Sequence, residues 1–162
     1  MIRFAFSALC ALSLSALPAV THADPKPRNA RPAPVAKVIK TYSGKTDMWD
    51  TGCGGGIYFS PNNQARAWCS ESPENMAAGH WNVSADGTLC QNLTWYWPEG
   101  NGAGSAAEKP LCISHVVDGW GNMWRNWPGD PEWWPVTLSS SNLKRGYVFQ
   151  DNVLATRNKL GL

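Results

Sequence analysis

Charge is scarce in this sequence. Charged residues make up 16% of its 162 residues, and 14 Lys and Arg against 12 Asp and Glu leave a formal net charge of +2. That balance gives no electrostatic basis for nucleic-acid binding, and so few charges exclude an acidic disordered chain or a coiled coil. Long apolar runs are lacking as well. Residues 4–17 form an apolar run of fourteen, short of the roughly 20 that a spanning helix needs, so no membrane span is expected. There is no Gly-x-Ser-x-Gly nucleophile elbow. Gly44-Lys45-Thr46 resembles the tail of a phosphate-binding loop, but Ile39 stands where that loop requires its first Gly. What is abundant is Trp, with ten, alongside 15 Gly and 12 Pro. So much Gly and Pro argues against long helices and for short strands joined by turns in one domain.

The amino terminus reads as an export signal. Arg3 supplies a positive n-region, residues 4–17 an apolar core ending at Pro18, and Thr21 and Ala23 the small side chains of a cleavage site. Residues 1–23 are therefore expected to be removed, and the mature protein to be exported. Cys10 leaves with the signal, and Cys53, Cys69, Cys90 and Cys112 remain. An even number of cysteines in an oxidising compartment reads as two disulfides. Zinc would want Cys pairs about two to four residues apart, whereas the gaps here are 16, 21 and 22. Of the three pairings that four cysteines admit, Cys53–Cys69 with Cys90–Cys112 is preferred, because each would join neighbouring strands. Each bridge closes a loop on the order of 20 residues, worth roughly 3 kcal/mol.

Residues 24–37 carry Pro25, Pro27, Pro32 and Pro34 among basic side chains and read as an extended linker. Residues 38–162 read as a β-rich globular domain. Strands are expected over residues 57–60, 64–70, 79–83, 88–97, 109–117, 120–125 and 133–138, with turns at 61–63, 84–87 and 118–119. Residues 98–108 read as a Gly/Ala-rich loop, 147–149 as a strand and 151–160 as a short helix. The fold class expected is mainly β: an antiparallel meander, partly closed like a barrel or packed as a sandwich. Alternation puts Leu89, Leu93, Trp95 and Trp97 on one face of the long strand, with Cys90 and Tyr96 on the other. In the next strand, Leu111, Ile113, His115 and Val117 share a face and Cys112 lies opposite.

Several of these residues carry a family likeness. Thr41-Tyr42-Ser43-Gly44-Lys45-Thr46 with Trp49 opens the domain. Gly56-Ile57-Tyr58-Phe59, Ala67-Trp68, Gly79-His80-Trp81-Asn82-Val83, Gly87-Thr88-Leu89-Cys90 and Trp95 follow, and Cys112 with His115 closes the pattern. In order and spacing, residues 41–134 resemble the bacterial Domain of Unknown Function 995 family, small exported proteins found mainly in alphaproteobacteria. The resemblance implies a periplasmic or secreted β-rich domain with a Cys90–Cys112 pair, and it implies no reaction. Cys53 and Cys69 form an additional pair, residues 100–104 an insertion, and the chain from Ser139 onward departs from the pattern.

Candidate chemistry is sparse. His115, on the apolar side of its strand, is expected to be a hydrogen-bonded core or cavity residue, with Ser114 pointing the other way. Two mature histidines without a carboxylate motif do not make a metal site, and no cofactor is expected. Glu71 with Glu74, and Asp130 with Glu132, read as surface acids. The tryptophans are the strongest clue, since each can bury about 150–250 Å² and ten exceed what a small core hides. Trp68, Trp81 and Trp95 are expected in the core. Trp97, Trp120, Trp124, Trp127, Trp133 and Trp134 are expected to form an exposed shelf that stacks on sugar rings or apolar partners. The leading functional expectation is non-catalytic binding of an envelope glycan, lipid or protein. The alternatives are a small periplasmic hydrolase using His115 or a carboxylate pair, and a structural envelope protein with no ligand.

Overall fold

The structure is a computed structural model that describes residues 25–49, 52–137 and 142–162. The segment read as a signal peptide lies outside the described residues. So do Leu138, the end of one expected strand, and Ser139. In chain order the elements are β1 (Arg31–Pro32), α1 (Val35–Tyr42), β2 (Lys45–Met48), β3 (Gly56–Phe59), β4 (Gln64–Trp68), β5 (Met76–Val83) and β6 (Leu89–Glu99). Then come β7 (Gly102–Ala107), β8 (Leu111–Val117), β9 (Met123–Asn126), β10 (Trp134–Pro135), β11 (Leu143–Arg145) and α2 (Gln150–Leu160). Every pairing is antiparallel, in the order β10-β9-β8-β6-β5-β4-β3-β2-β11. The fold is the mainly β, partly closed meander expected, curled into a half-barrel.

One core cluster shows why the sheet curls. It gathers Phe59 and Ala65 from the middle strands with Met123 of β9 and Leu143 of β11, from opposite ends of the strand order. A flat sheet could not bring those ends together. The side chains obey the two-residue period. Ile57, Phe59, Ala65, Ala67, Ala77, Trp81, Leu89 and Leu93 face the concave side, where α1 inserts Val38 and Tyr42, both fully buried. Burial of such side chains stabilises by roughly 1.5–3 kcal/mol each. Trp68 and Met76 face the convex side and pack under Val153 and Leu160 of α2.

Several local expectations need correction. The supposed linker enters the fold from Arg31: Arg31 and Pro32 pair with Val117 and Val116 of β8, and α1 begins at Val35. Val35, Val38 and Tyr42 recur at helical spacing, and that stripe outweighs the flanking lysines. Close packing holds this entry in place. Ala33 donates its amide to the His115 carbonyl at 3.0 Å, and a Cβ on Gly87 would lie 2.5 Å from the Ala33 carbonyl oxygen. The Gly/Ala-rich segment is a strand, not a loop. β7 pairs with Thr94–Glu99 of β6, while β8 takes Leu89–Gln91 on the same edge. Small residues suit β7 because the Trp97 ring lies across Gly104, where a Cβ would sit 2.6 Å from its indole nitrogen. Residues 147–149 are a turn into α2, and the strand that closes the sheet is β11 instead. β9 starts at Met123 and β10 is only Trp134–Pro135, both shorter than expected. Residues 151–160 are helical, within α2.

Both disulfides are present, Cys53–Cys69 and Cys90–Cys112. Cys90 and Cys112 are directly opposed where β6 meets β8. Cys53 ties the turn before β3 to the end of β4, where Ser70 also donates its amide to the Cys53 carbonyl.

Candidate functional site

The concave side carries a buried polar group of four residues from four elements. β8 aligns His115 opposite Arg125 of β9, so both project the same way. Arg125 Nη1 donates to Asp47 Oδ2 of β2 at 2.7 Å, the side chains being 11% and 5% exposed. The Tyr42 hydroxyl of α1 shares a 2.8 Å hydrogen bond with His115 Nε2. The ion pair joins β9 to β2 across the opening of the half-barrel. Burial works against the Arg125 charge, but Asp47 and then Tyr42 outweigh it and raise its pKa. Burial likewise raises the Tyr42 hydroxyl far above its ordinary value, so the phenol stays protonated.

His115 is 1% exposed. Burial, reinforced by the Arg125 charge, pushes its pKa down to about 4. It is therefore neutral at pH 7, and its hydrogen-bond partner is a phenol rather than a carboxylate. Between about pH 6.5 and pH 4 the unfolded chain takes up a proton that folded His115 refuses. Stability from this residue is thus level above pH 6.5 and falls as pH falls through that window, by about 2 to 3 kcal/mol at pH 4.5. Urea unfolding at pH 7 and pH 4.5 should show this loss in the wild type beyond that of His115→Gln. Equal losses in the two proteins would contradict it.

The six expected surface tryptophans do not form one shelf. Trp120 stands at the tip of the β8–β9 turn, 92% exposed. Asp118 builds that turn: it accepts the amides of Trp120 and Asn122 at 2.9 and 2.8 Å, and the Trp124 indole N–H at 3.2 Å. What desolvation Asp118 suffers opposes its charge, but these donors outweigh it and hold its carboxyl below the ordinary range. Trp127 lies 5.2 Å over the Arg125 guanidinium, a cation–π contact. Trp134 opposes Arg125 on β10 and donates its indole N–H to Asp130 Oδ2 at 3.1 Å. These two rings therefore border Arg125, whereas Trp124, opposite Pro135, belongs to the other face. Trp133 is half-buried with the Lys26 ammonium 5.4 Å from its ring. Trp97 is half-buried at the far end of β6, about 20 Å along the strand from the β8 junction at ~3.3 Å per residue.

Trp68 and Trp81 are buried, and Trp95 packs partly buried against the core beside Trp49. Asp130 is a structural acid: its carboxylate also accepts the Glu132 amide at 2.9 Å. Glu71 and Glu74 are exposed. Gly44-Lys45-Thr46 is a helix–strand junction, in which the Lys45 ammonium caps the Thr41 carbonyl at 2.5 Å. Among the described residues no group of three His, Cys, Asp or Glu could hold a metal ion, and no helix is long and apolar enough to cross a membrane. Sequence reasoning missed Asp47 and Arg125. The available signal was Arg125 two residues after buried Met123, a charge in a core-facing register.

No curated protein matches the chain. No solved structure matches it. Residues 10–152, a wider span than residues 41–134 and one that continues past Ser139, match the family described as "Protein of unknown function (DUF995)". With most of its length matched, the chain belongs to that family.

Proposed function

We propose that the protein is exported to the periplasm or beyond and there binds a glycan of the cell envelope, without a chemical step of its own, through solvent-facing tryptophans. The observation that carries this reading is Trp120. It is an indole 92% exposed on a turn that Asp118 holds with three hydrogen bonds from main-chain amides and a neighbouring ring. An exposed indole, with only two side-chain torsions to fix, offers a large apolar face at little entropic cost on binding, and such a face stacks on the C–H side of a sugar ring. Trp127 and Trp134, both half-buried, lie beside Arg125, the Trp127 ring over its guanidinium and Trp134 opposite it in register on β10. The two disulfides and the amino-terminal apolar run support the export part of the proposal.

The test is retention on purified peptidoglycan and titration with N-acetylglucosamine oligomers. Trp120→Ala should weaken binding at least tenfold, about 1.4 kcal/mol. As an exposed residue, it should leave unfolding stability within about 0.5 kcal/mol. Trp127→Ala and Trp134→Ala should each weaken binding further. A wild-type protein that retains neither ligand, or equal binding by Trp120→Ala, would overturn the proposal.

A further inference from the structure

The convex side holds a second site, separate from Trp120, Trp127 and Trp134. α2 packs on the sheet through Val153, Leu160 and Thr156, whose hydroxyl donates to the Pro73 carbonyl at 2.8 Å. Beside that contact a cavity of about 420 Å³ remains between helix and sheet, within the roughly 300–1,000 Å³ range of small-molecule sites. Its floor follows from strand register. Arg66 lies between Tyr58 and Ala78 on neighbouring strands, and the methyl of Ala78 leaves the space open where its neighbours are large.

The walls are aromatic and apolar. Tyr147 stacks on Tyr58 with ring centroids 4.3 Å apart and planes 7° from parallel, and Tyr96, Met76 and Leu154 line the remainder. Leu154 is 43% exposed, an apolar side chain at the cavity rim. No acidic side chain lines the space, while Arg66 and Arg157 both do, the Arg157 Nε donating to the oxygen of Leu162, itself a lining residue, at 3.0 Å. Among the described residues Arg66 pairs with no carboxylate. Its guanidinium donates to the Ala65 and Gly79 carbonyls and to Gln64 Oε1, which leaves part of its donor fork free. The Tyr147 hydroxyl is buried and, among the described residues, has no hydrogen-bond partner. A buried hydroxyl without a partner costs free energy that a ligand acceptor would restore.

The geometry points to a binding site for a small aryl-alkyl carboxylate between α2 and the convex face. Its carboxylate lies against Arg66 and the Tyr147 hydroxyl, and its ring lies among Tyr58, Tyr96 and Met76. Arg supplies the bidentate charge that a carboxylate takes, and the tyrosines supply a slot for a flat apolar body.

The probe is 4-phenylbutyrate, titrated calorimetrically into the disulfide-bonded protein, with the Met76 methyl resonance as a reporter of place. Binding should be saturable and should move that resonance. The neutral 4-phenylbutanamide, which needs no altered protein, should bind at least tenfold more weakly. Arg66→Gln should weaken the carboxylate at least tenfold, and Ala78→Phe, which fills the cavity, should abolish it. Trp120→Ala should leave it unchanged, which separates this site from the glycan reading. Absence of binding at millimolar probe, equal affinity for acid and amide, or undiminished binding by Arg66→Gln would overturn the inference.

Discussion

Reduction of both disulfides should remove about 6 kcal/mol of stability. The bridges span separations of 16 and 22 residues, and the chain-entropy relation gives about 3 kcal/mol for each. Total stability for a domain of this kind is only about 5–15 kcal/mol, so reduction should remove from about two fifths of it to all of it at 25 °C. The two bridges are not equivalent in place. β8 joins β6 through three residue pairs, Leu89↔Ile113, Cys90↔Cys112 and Gln91↔Leu111, and the middle one is the disulfide. Cys90→Ala/Cys112→Ala should therefore loosen β8, β9 and β10 first, which amide exchange would register as lost protection there. Cys53→Ala/Cys69→Ala should act on the turn before β3. Urea titrations with and without reductant, followed by Trp fluorescence, measure the sum. A loss below about 1 kcal/mol on full reduction would contradict the account.

Replacing Arg125 by Met should cost about 3–5 kcal/mol, the range for breaking one side of a buried ion pair. The reason is desolvation. Asp47 is 3% exposed, and without the guanidinium it loses the charge that accompanies it into the interior. Arg125 also carries the Trp127 ring on its face, so the substitution should free that ring, visible as a changed indole environment. The double variant Arg125→Met/Asp47→Leu should recover much of the loss, because it removes both charges rather than one. Non-additivity of this size between contacting residues is what a double-mutant cycle reads. Unfolding midpoints for the two single variants and the double variant measure it. A cost under about 1 kcal/mol for Arg125→Met would show that the pair does not hold β9 to β2.

What the sequence made legible was period and punctuation. Turn residues at 61–63 and 84–87 mark the hairpins, and alternation along residues 89–97 separates the concave Leu89 and Leu93 from the convex Tyr96. What it hid was whatever depends on distant partners or on composition that misleads. α1 was masked because Pro32, Pro34, Lys37 and Lys40 dominate the stretch in which Val35, Val38 and Tyr42 recur. β7 was masked because Gly and Ala have low strand propensity, while the facing Trp97 ring requires their smallness. The Asp47–Arg125 pair joins residues 78 apart, and His115 finds Tyr42 at a separation of 73. No local pattern announces either. Ten tryptophans say that some ring must reach the surface, but composition does not say which. It is turn chemistry at Asp118 that selects Trp120.

The most direct measurement records the indole N–H resonances of the ten tryptophans while N-acetylglucosamine oligomer is added to isotopically labelled protein. The Trp120 resonance should shift saturably, with smaller shifts at Trp127 and Trp134. Trp81 and Trp68, buried at 3% and 7% exposure, should stay still. If no indole moves at saturating oligomer, or if the buried pair moves while Trp120 does not, these tryptophans are not a glycan-binding surface.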